Sequence, residues 1–112
     1  MKIGIDIQDI PRVKNIKPHH MERIFASSEL EYITRKNSAP QTIAGLYAAK
    51  EAFFKALGTG VQHSKLTSVE IDHDKFGAPY YNLKNTEWVE LKTVLSISHS
   101  KNTAVAVCLI QN

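Results

Sequence analysis

Cysteine is almost absent: Cys108 is the single one in 112 residues. That excludes an intramolecular disulfide framework and any four-cysteine zinc centre. Long apolar runs are missing too. The run Ala104 to Ile110 falls far short of the roughly 20 residues that a membrane helix needs. Near the N-terminus, Asp6 and Asp9 interrupt the apolar residues where a secretory signal would keep an unbroken core. The chain is therefore expected to be soluble and cytoplasmic, with no membrane partner. It also lacks a Lys/Arg block and a basic stripe with interleaved aromatics, so no nucleic-acid partner is expected. No repeat, low-complexity tract or Gly/Ser linker divides it, and its length suits one domain over residues 1–112.

What is present is an ordinary globular composition, 43% hydrophobic and 22% charged, which argues against wholesale disorder. Fourteen Lys and Arg against 11 Asp and Glu leave a formal charge of +3, a mildly basic balance that allows an acidic protein or a phosphate-bearing ligand. A chain of this size buries only a modest core, and self-association would supplement it. Cys108, inside an apolar run, reads as a small buried hydrophobe.

Ile3, Ile5 and Ile7 alternate with Gly4, Asp6 and Gln8, the period of a strand with one apolar face. Pro18 divides the next segment, predicting one short helix before it and another from it onward. Ser28 with Glu31 three residues on has the capping-box pattern for a helix through Leu30 and Ile33. The clearest element runs from Pro40 to Leu57. Proline suits its first turn, Gly58 its left-handed end, and Ile43, Leu46, Tyr47, Phe53, Phe54 and Leu57 form an apolar stripe. Beyond it Ser68 to Ile71, Tyr80 to Leu83, Val94 to His99 and Thr103 to Ile110 read as strands. Ser100-Lys101-Asn102 joins the last two as a hairpin. The order strand, helices, strands predicts an α+β fold with the long helix packed on a mostly antiparallel sheet.

One residue of that helix is out of place. Lys50 projects near the middle of the apolar arc, where an ammonium must snorkel to water or meet an anion. Glu51 and Lys55 share a face at its edge. These residues are either a solvated Glu–Lys pair beside a snorkelling lysine, or an anion and metal site at the rim of the core. In the second case a carboxylate beside ammonium groups stays ionised and can hold a hard divalent cation. Magnesium takes only one or two protein carboxylates and completes its shell with water and phosphate oxygens. Asp6, opposite the isoleucines and beside Gly4, which would leave room for a ligand, is the best second carboxylate. Gly58-Thr59-Gly60 is either a cap and turn or a place where backbone N–H groups approach a phosphate.

Gly4-Ile5-Asp6-Ile7 with Arg12 downstream opens a series of motifs in fixed order. Ala49-Lys50-Glu51-Ala52-Phe53-Phe54-Lys55-Ala56 runs into Gly58-Thr59-Gly60, and Gly77-Ala78-Pro79-Tyr80 and Ser96-Ile97-Ser98-His99 follow. The series resembles the holo-[acyl-carrier-protein] synthases, small 4′-phosphopantetheinyl transferases, over nearly the whole chain. The resemblance implies the α+β fold of that family. It implies Mg²⁺-dependent transfer of the 4′-phosphopantetheine arm of coenzyme A to a serine of an apo acyl carrier protein, releasing adenosine 3′,5′-bisphosphate. Asp6 and Glu51 match the family's metal ligands, and Glu51 and Lys55 its catalytic positions. Lys55 would neutralise charge at the pyrophosphate. The serine proton would go to Glu51 or to a metal-associated water.

Lys50, Lys55, Gly58, Thr59, Gly60 and His99 are expected to contact coenzyme A. Arg12, Lys14 and Arg23, with Lys17 between them, would dock the acidic carrier. Family members of this size are typically homotrimers with active sites between subunits. Fatty-acid, polyketide and peptide synthesis all stay open as the pathway. Leu46 stands where the family commonly carries an arginine, and the stretch from Arg12 to Phe25 is shorter than usual. His19, His20, His63 and His73 match nothing in the family and are expected to be solvated. The alternative is a non-catalytic basic module of the same fold that binds an acidic protein or a nucleotide.

Overall fold

Small residues decide how this chain packs. The computed structural model describes residues 1–111. Strand β1 (Lys2–Asp9) lies antiparallel to β5 (Thr103–Gln111), and β5 lies antiparallel to β4 (Lys92–His99), giving a sheet of order β1-β5-β4. Helix α4 (Pro40–Leu57) crosses one face of it. Toward the helix the sheet presents Gly4, Ala104, Ala106 and Cys108, and the helix carries buried Ala48, Ala49, Ala52 and Ala56. Short side chains on both surfaces let the backbones approach closely. At Gly4 the approach is complete: a Cβ there would lie 2.1 Å from the Ala52 carbonyl oxygen. Gly4 therefore leaves no space for a ligand, contrary to expectation. The helix backbone fills it.

The far side of α4 is large and aromatic. Phe53 packs against Tyr81 and Trp88 with ring centroids 5.3 and 5.1 Å apart, and Phe54 meets Trp88 edge-on. The Tyr81 hydroxyl donates to the Ala49 carbonyl at 2.6 Å, so the polar tip of this aromatic is satisfied. Tyr81 belongs to a second, two-stranded antiparallel sheet of β2 (Glu70–His73) and β3 (Pro79–Asn82). Helices α1 (Ile10–Val13), α2 (Pro18–Ile24) and α3 (Ser27–Arg35) lie between β1 and α4 in the chain. The architecture is α+β, as expected. Pro18 opens α2, Pro40 opens α4, and Gly58 closes α4 in the left-handed region with φ of 82°.

Two local expectations, the α3 cap and the solvation of His73, are corrected, and two points that the sequence leaves open are decided. The cap of α3 is not Ser28 with Glu31: Ala26 precedes the helix, and its N–H donates to the Glu29 carboxylate at 2.8 Å. Glu29 is buried there because it has a second task. Next, the apolar face of β1 points outward, with Ile3, Ile5 and Ile7 each 60% exposed or more. The opposite face goes inward because only Gly4 lets α4 so close. Third, Lys55 does not pair with Glu51 but donates to Asp6 at 2.9 Å. Finally, His73 is half-buried rather than solvated, stacked on Tyr32 with ring centroids 3.9 Å apart. Burial lowers its pKa, with Lys36 and Arg35 acting the same way and Asp72 and Asp74 opposing.

Candidate active site

Asp6 and Glu51 converge because β1 runs beneath α4. On β1 the inward positions are Gly4, Asp6 and Gln8. On α4, Tyr47, Glu51 and Lys55 recur every four residues and so share one face. Gly4 brings the two surfaces together at Ala52 and Ala56. Asp6, two residues further along the strand, then meets Lys55, whose Nζ donates to its Oδ1 at 2.9 Å.

The other Asp6 oxygen and the Glu51 carboxylate meet at a single atom. The amide nitrogen of Gln8 donates to Asp6 Oδ2 at 2.7 Å and to Glu51 Oε2 at 2.9 Å. Both carboxylates are thus within bonding reach of one small group, the donor set a hard divalent cation needs. Burial and then the adjoining Asp6 carboxylate push the Glu51 carboxyl up to about 7, while the Tyr47 hydroxyl and the Lys55 ammonium hold it down. Burial and the Glu51 carboxylate in turn raise the pKa of Tyr47. Asp6 is almost wholly enclosed, and the Lys55 side chain is half in water. Buried Asp6 and half-buried Glu51 can hold a cation while the lysine reaches an incoming anion.

Lys50 has no part in this face. It is fully buried, with Nζ donating to Glu29 at 2.7 Å and to the carbonyls of Leu66 and Val69, each at 2.8 Å. All three of its protons are committed, so, contrary to expectation, it has none for coenzyme A. Burial lowers its pKa and raises that of Glu29, and their mutual attraction opposes both shifts. Glu29 also accepts from the Ala26 and Ile71 N–H groups. The node ties α3, α4, β2 and the 3₁₀ turn His63–Ser68 together.

The other residues expected to take part make no hydrogen bond to either carboxylate. Gly58, Thr59 and Gly60 are exposed at the end of α4, just past Lys55. Gly58 N–H closes the helix on the Phe54 and Lys55 carbonyls, and the Thr59 hydroxyl donates to the Gly60 carbonyl. His99 ends β4 opposite Ala104, which is itself opposite Gln8. It is exposed on the helix side of the sheet, two strands away. Arg12, Lys14, Lys17 and Arg23 are all exposed along α1, α2 and their link. Beside them Val13, Ile16, Met21, Ile33 and Ile43 line a groove of about 560 Å³. Leu46 is buried in the core, as its lack of charge allows.

Sequence reading missed Gln8 and Tyr47 as members of the site. Each carried a local signal. Gln8 is two residues from Asp6 on a strand, and Tyr47 is four residues from Glu51 on a helix, so both share a face with a carboxylate.

An α+β chain with a carboxylate pair and a lysine at one end of its long helix defines a class, and the comparisons place it. Residues 2–108 match the 4′-phosphopantetheinyl transferase superfamily. A holo-[acyl-carrier-protein] synthase of Clostridium tetani is 40% identical over 97% of this chain and 94% of its own. That of Caldicellulosiruptor bescii is 44% identical over 97% and 96%. The crystal structure of a holo-(acyl-carrier-protein) synthase from Bacillus anthracis in complex with CoA (3′,5′-ADP) superposes with a TM-score of 0.85 at 35% identity, covering 97% of this chain and 94% of that one. The Helicobacter pylori enzyme in complex with coenzyme A gives 0.80 at 32%, covering 97% and 99%. The chain belongs to the holo-[acyl-carrier-protein] synthases of the 4′-phosphopantetheinyl transferase superfamily, and it is an enzyme. Family membership sets aside the non-catalytic alternative. Among the described residues no helix is long and apolar enough to cross a membrane.

Proposed function

We propose that this enzyme transfers the 4′-phosphopantetheine arm of coenzyme A to a serine of an apo acyl carrier protein, requires Mg²⁺ and releases adenosine 3′,5′-bisphosphate. One observation carries the reading: Asp6 and Glu51 both bond to one amide nitrogen, at 2.7 and 2.9 Å, with Lys55 on the free oxygen of Asp6. The transfer joins an alcohol to the phosphorus of a diphosphate, a reaction catalysed largely by positioning and by neutralising charge. Asp6 and Glu51 would hold the Mg²⁺, which supplies Lewis-acid neutralisation of the diphosphate oxygens. Lys55, tethered to Asp6 yet half exposed, supplies a second positive charge to the leaving bisphosphate. The coenzyme A complexes of the B. anthracis and H. pylori relatives support the donor, and the names of the relatives support the acceptor.

Gly58, Thr59, Gly60 and His99 are the further coenzyme A contacts in this reading, exposed on the helix side of the sheet. The basic residues Arg12, Lys14, Lys17 and Arg23 receive the acidic carrier, with complementary charge speeding encounter and fixing orientation. The protein assembles as a homotrimer through the outward face of its sheet. Ile3, Ile5, Ile7 and Val94 are exposed there, beside half-buried Val105, Val107 and Leu109. A continuous apolar face of this kind marks an interface.

The test is the mass of an apo acyl carrier protein incubated with the enzyme, coenzyme A and Mg²⁺. A gain of one phosphopantetheine arm is expected, abolished by a chelator. No gain across a panel of apo carriers overturns the reading.

A further inference from the structure

Gln8 lies at the centre of the site, and the family resemblance gives it no task. It is half-buried on the inward face of β1. Its amide nitrogen bonds to Asp6 Oδ2 and Glu51 Oε2, so both N–H groups are spent on carboxylate oxygens. The amide faces this way for an electrostatic reason. The Asp6 carboxylate, and Glu51 when ionised, repel its carbonyl oxygen and favour the NH₂ end.

The same electrostatics reverse when a cation is present. A divalent ion held by Asp6 and Glu51 takes the lone pairs that the Gln8 N–H groups now use, and it repels those protons. The terminal torsion of a glutamine is broad and roughly two-fold. Turning about it exchanges oxygen for nitrogen while leaving the rest of the side chain in place. Amide oxygens are good ligands for hard cations. The described residues contain no cluster of three His, Cys, Asp or Glu that could hold a metal. A third side-chain ligand here would therefore be of another residue type, and Gln8 is the side chain bonded to both carboxylates.

We propose that Gln8 is a two-state ligand: its amide nitrogen holds Asp6 and Glu51 together in the metal-free enzyme, and its amide oxygen becomes the third protein ligand of the divalent cation. One side chain thus keeps the carboxylate pair assembled before the cation arrives and helps to hold the cation afterwards. The inference rests on the assignment of a cation to Asp6 and Glu51 under the proposed function.

The experiment measures binding of Mn²⁺, by the loss of its free paramagnetic resonance signal, to the full chain with coenzyme A present. Wild type, Gln8→Leu and Gln8→Glu are compared. Gln8→Leu removes both the donor and the oxygen and should bind Mn²⁺ at least about tenfold more weakly, the loss usual when a group supporting a metal site is removed. Gln8→Glu, which supplies an oxygen, should recover the affinity. A second measurement follows the side-chain carbonyl carbon of Gln8 by NMR as Mg²⁺ is added to the wild-type protein with coenzyme A, and its resonance should shift on saturation.

Equal or tighter Mn²⁺ binding by a folded Gln8→Leu overturns the proposal, since Gln8 would then be at most a plug. An unmoved carbonyl resonance also overturns it, because weaker binding by the leucine variant would then reflect only the loss of the metal-free clasp. Wild-type protein that binds no Mn²⁺ overturns the cation assignment itself, and the Gln8 proposal with it.

Discussion

Gly4 and Ala52 stand so close that strand and helix meet backbone to backbone: an added Cβ would lie 2.1 Å from the Ala52 carbonyl oxygen and 2.5 Å from the Ala56 nitrogen. Neither atom can swing aside as a side chain can. This contact sets the height of β1 beneath α4, and so the distance from Asp6 to Lys55 and Glu51. Gly4→Ala should therefore push the strand away and damage both stability and transfer. Overpacking a fitted core costs about 1–3 kcal/mol. Denaturant titration of the variant checks this, and unchanged stability would show that the strand yields freely.

Glu51→Gln should abolish transfer and leave the fold in place, since the carboxylate lies at the edge of the core rather than within it. The readouts are the carrier mass shift and the thermal midpoint. An active variant would remove Glu51 from the chemistry.

The same carboxyl gives the metal-free protein a pH signature. Its pKa in the folded state is about 7, against 4.5 for an ordinary glutamate. Between those values the folded protein holds a proton that the unfolded chain has released. Stability from this group therefore falls as pH rises through the window and levels off above about 7. Glu51→Gln should flatten that slope in urea titrations run with chelator. Because proton and cation compete for the same carboxylate, Mg²⁺ affinity should rise through the same window.

Removing Lys50 should cost stability without touching the reacting groups. Lys50→Met leaves Glu29 buried without its partner, a loss of about 3–5 kcal/mol. Replacing both residues by apolar ones often rescues a buried ion pair, but here it should not. The Ala26 and Ile71 N–H groups and the Val69 carbonyl would lose their side-chain partners, and the Leu66 carbonyl would keep only the Val69 N–H. A double variant as stable as wild type would show that these groups find water instead.

The outward isoleucines provide an assembly test. Ile5→Lys places a charge in the middle of the exposed apolar face and should yield monomers by light scattering, with the wild type at three chains. Wild-type protein that runs as a monomer would dismiss the trimer.

Elements with a strong local signal were legible from the sequence. Pro40 and Gly58 bound a helix through their own backbone preferences, and Ser100-Lys101-Asn102 joins β4 to β5 because such residues favour turns. The direction a face takes was harder to read. Alternation divides β1 into an isoleucine side and a Gly4–Asp6 side, but which side meets the helix depends on the alanines of α4, 40 residues and more away. Lys50 looked anomalous for a sound reason, yet its partner Glu29 sits on another helix, and only the packing of α3 against β2 reveals the pairing. No spacing rule links positions 6 and 51, so the carboxylate pair rests on the place of Asp6 opposite the isoleucines and on the motif order.

The partners of Lys50 come from both directions along the chain, Glu29 ahead of it and Leu66 and Val69 behind. A chain ending before Leu66 would therefore leave that central ammonium with Glu29 alone, two of its three hydrogen bonds unmade. The helix that bears Glu51 and Lys55 is thus anchored by segments on both sides of it in the chain.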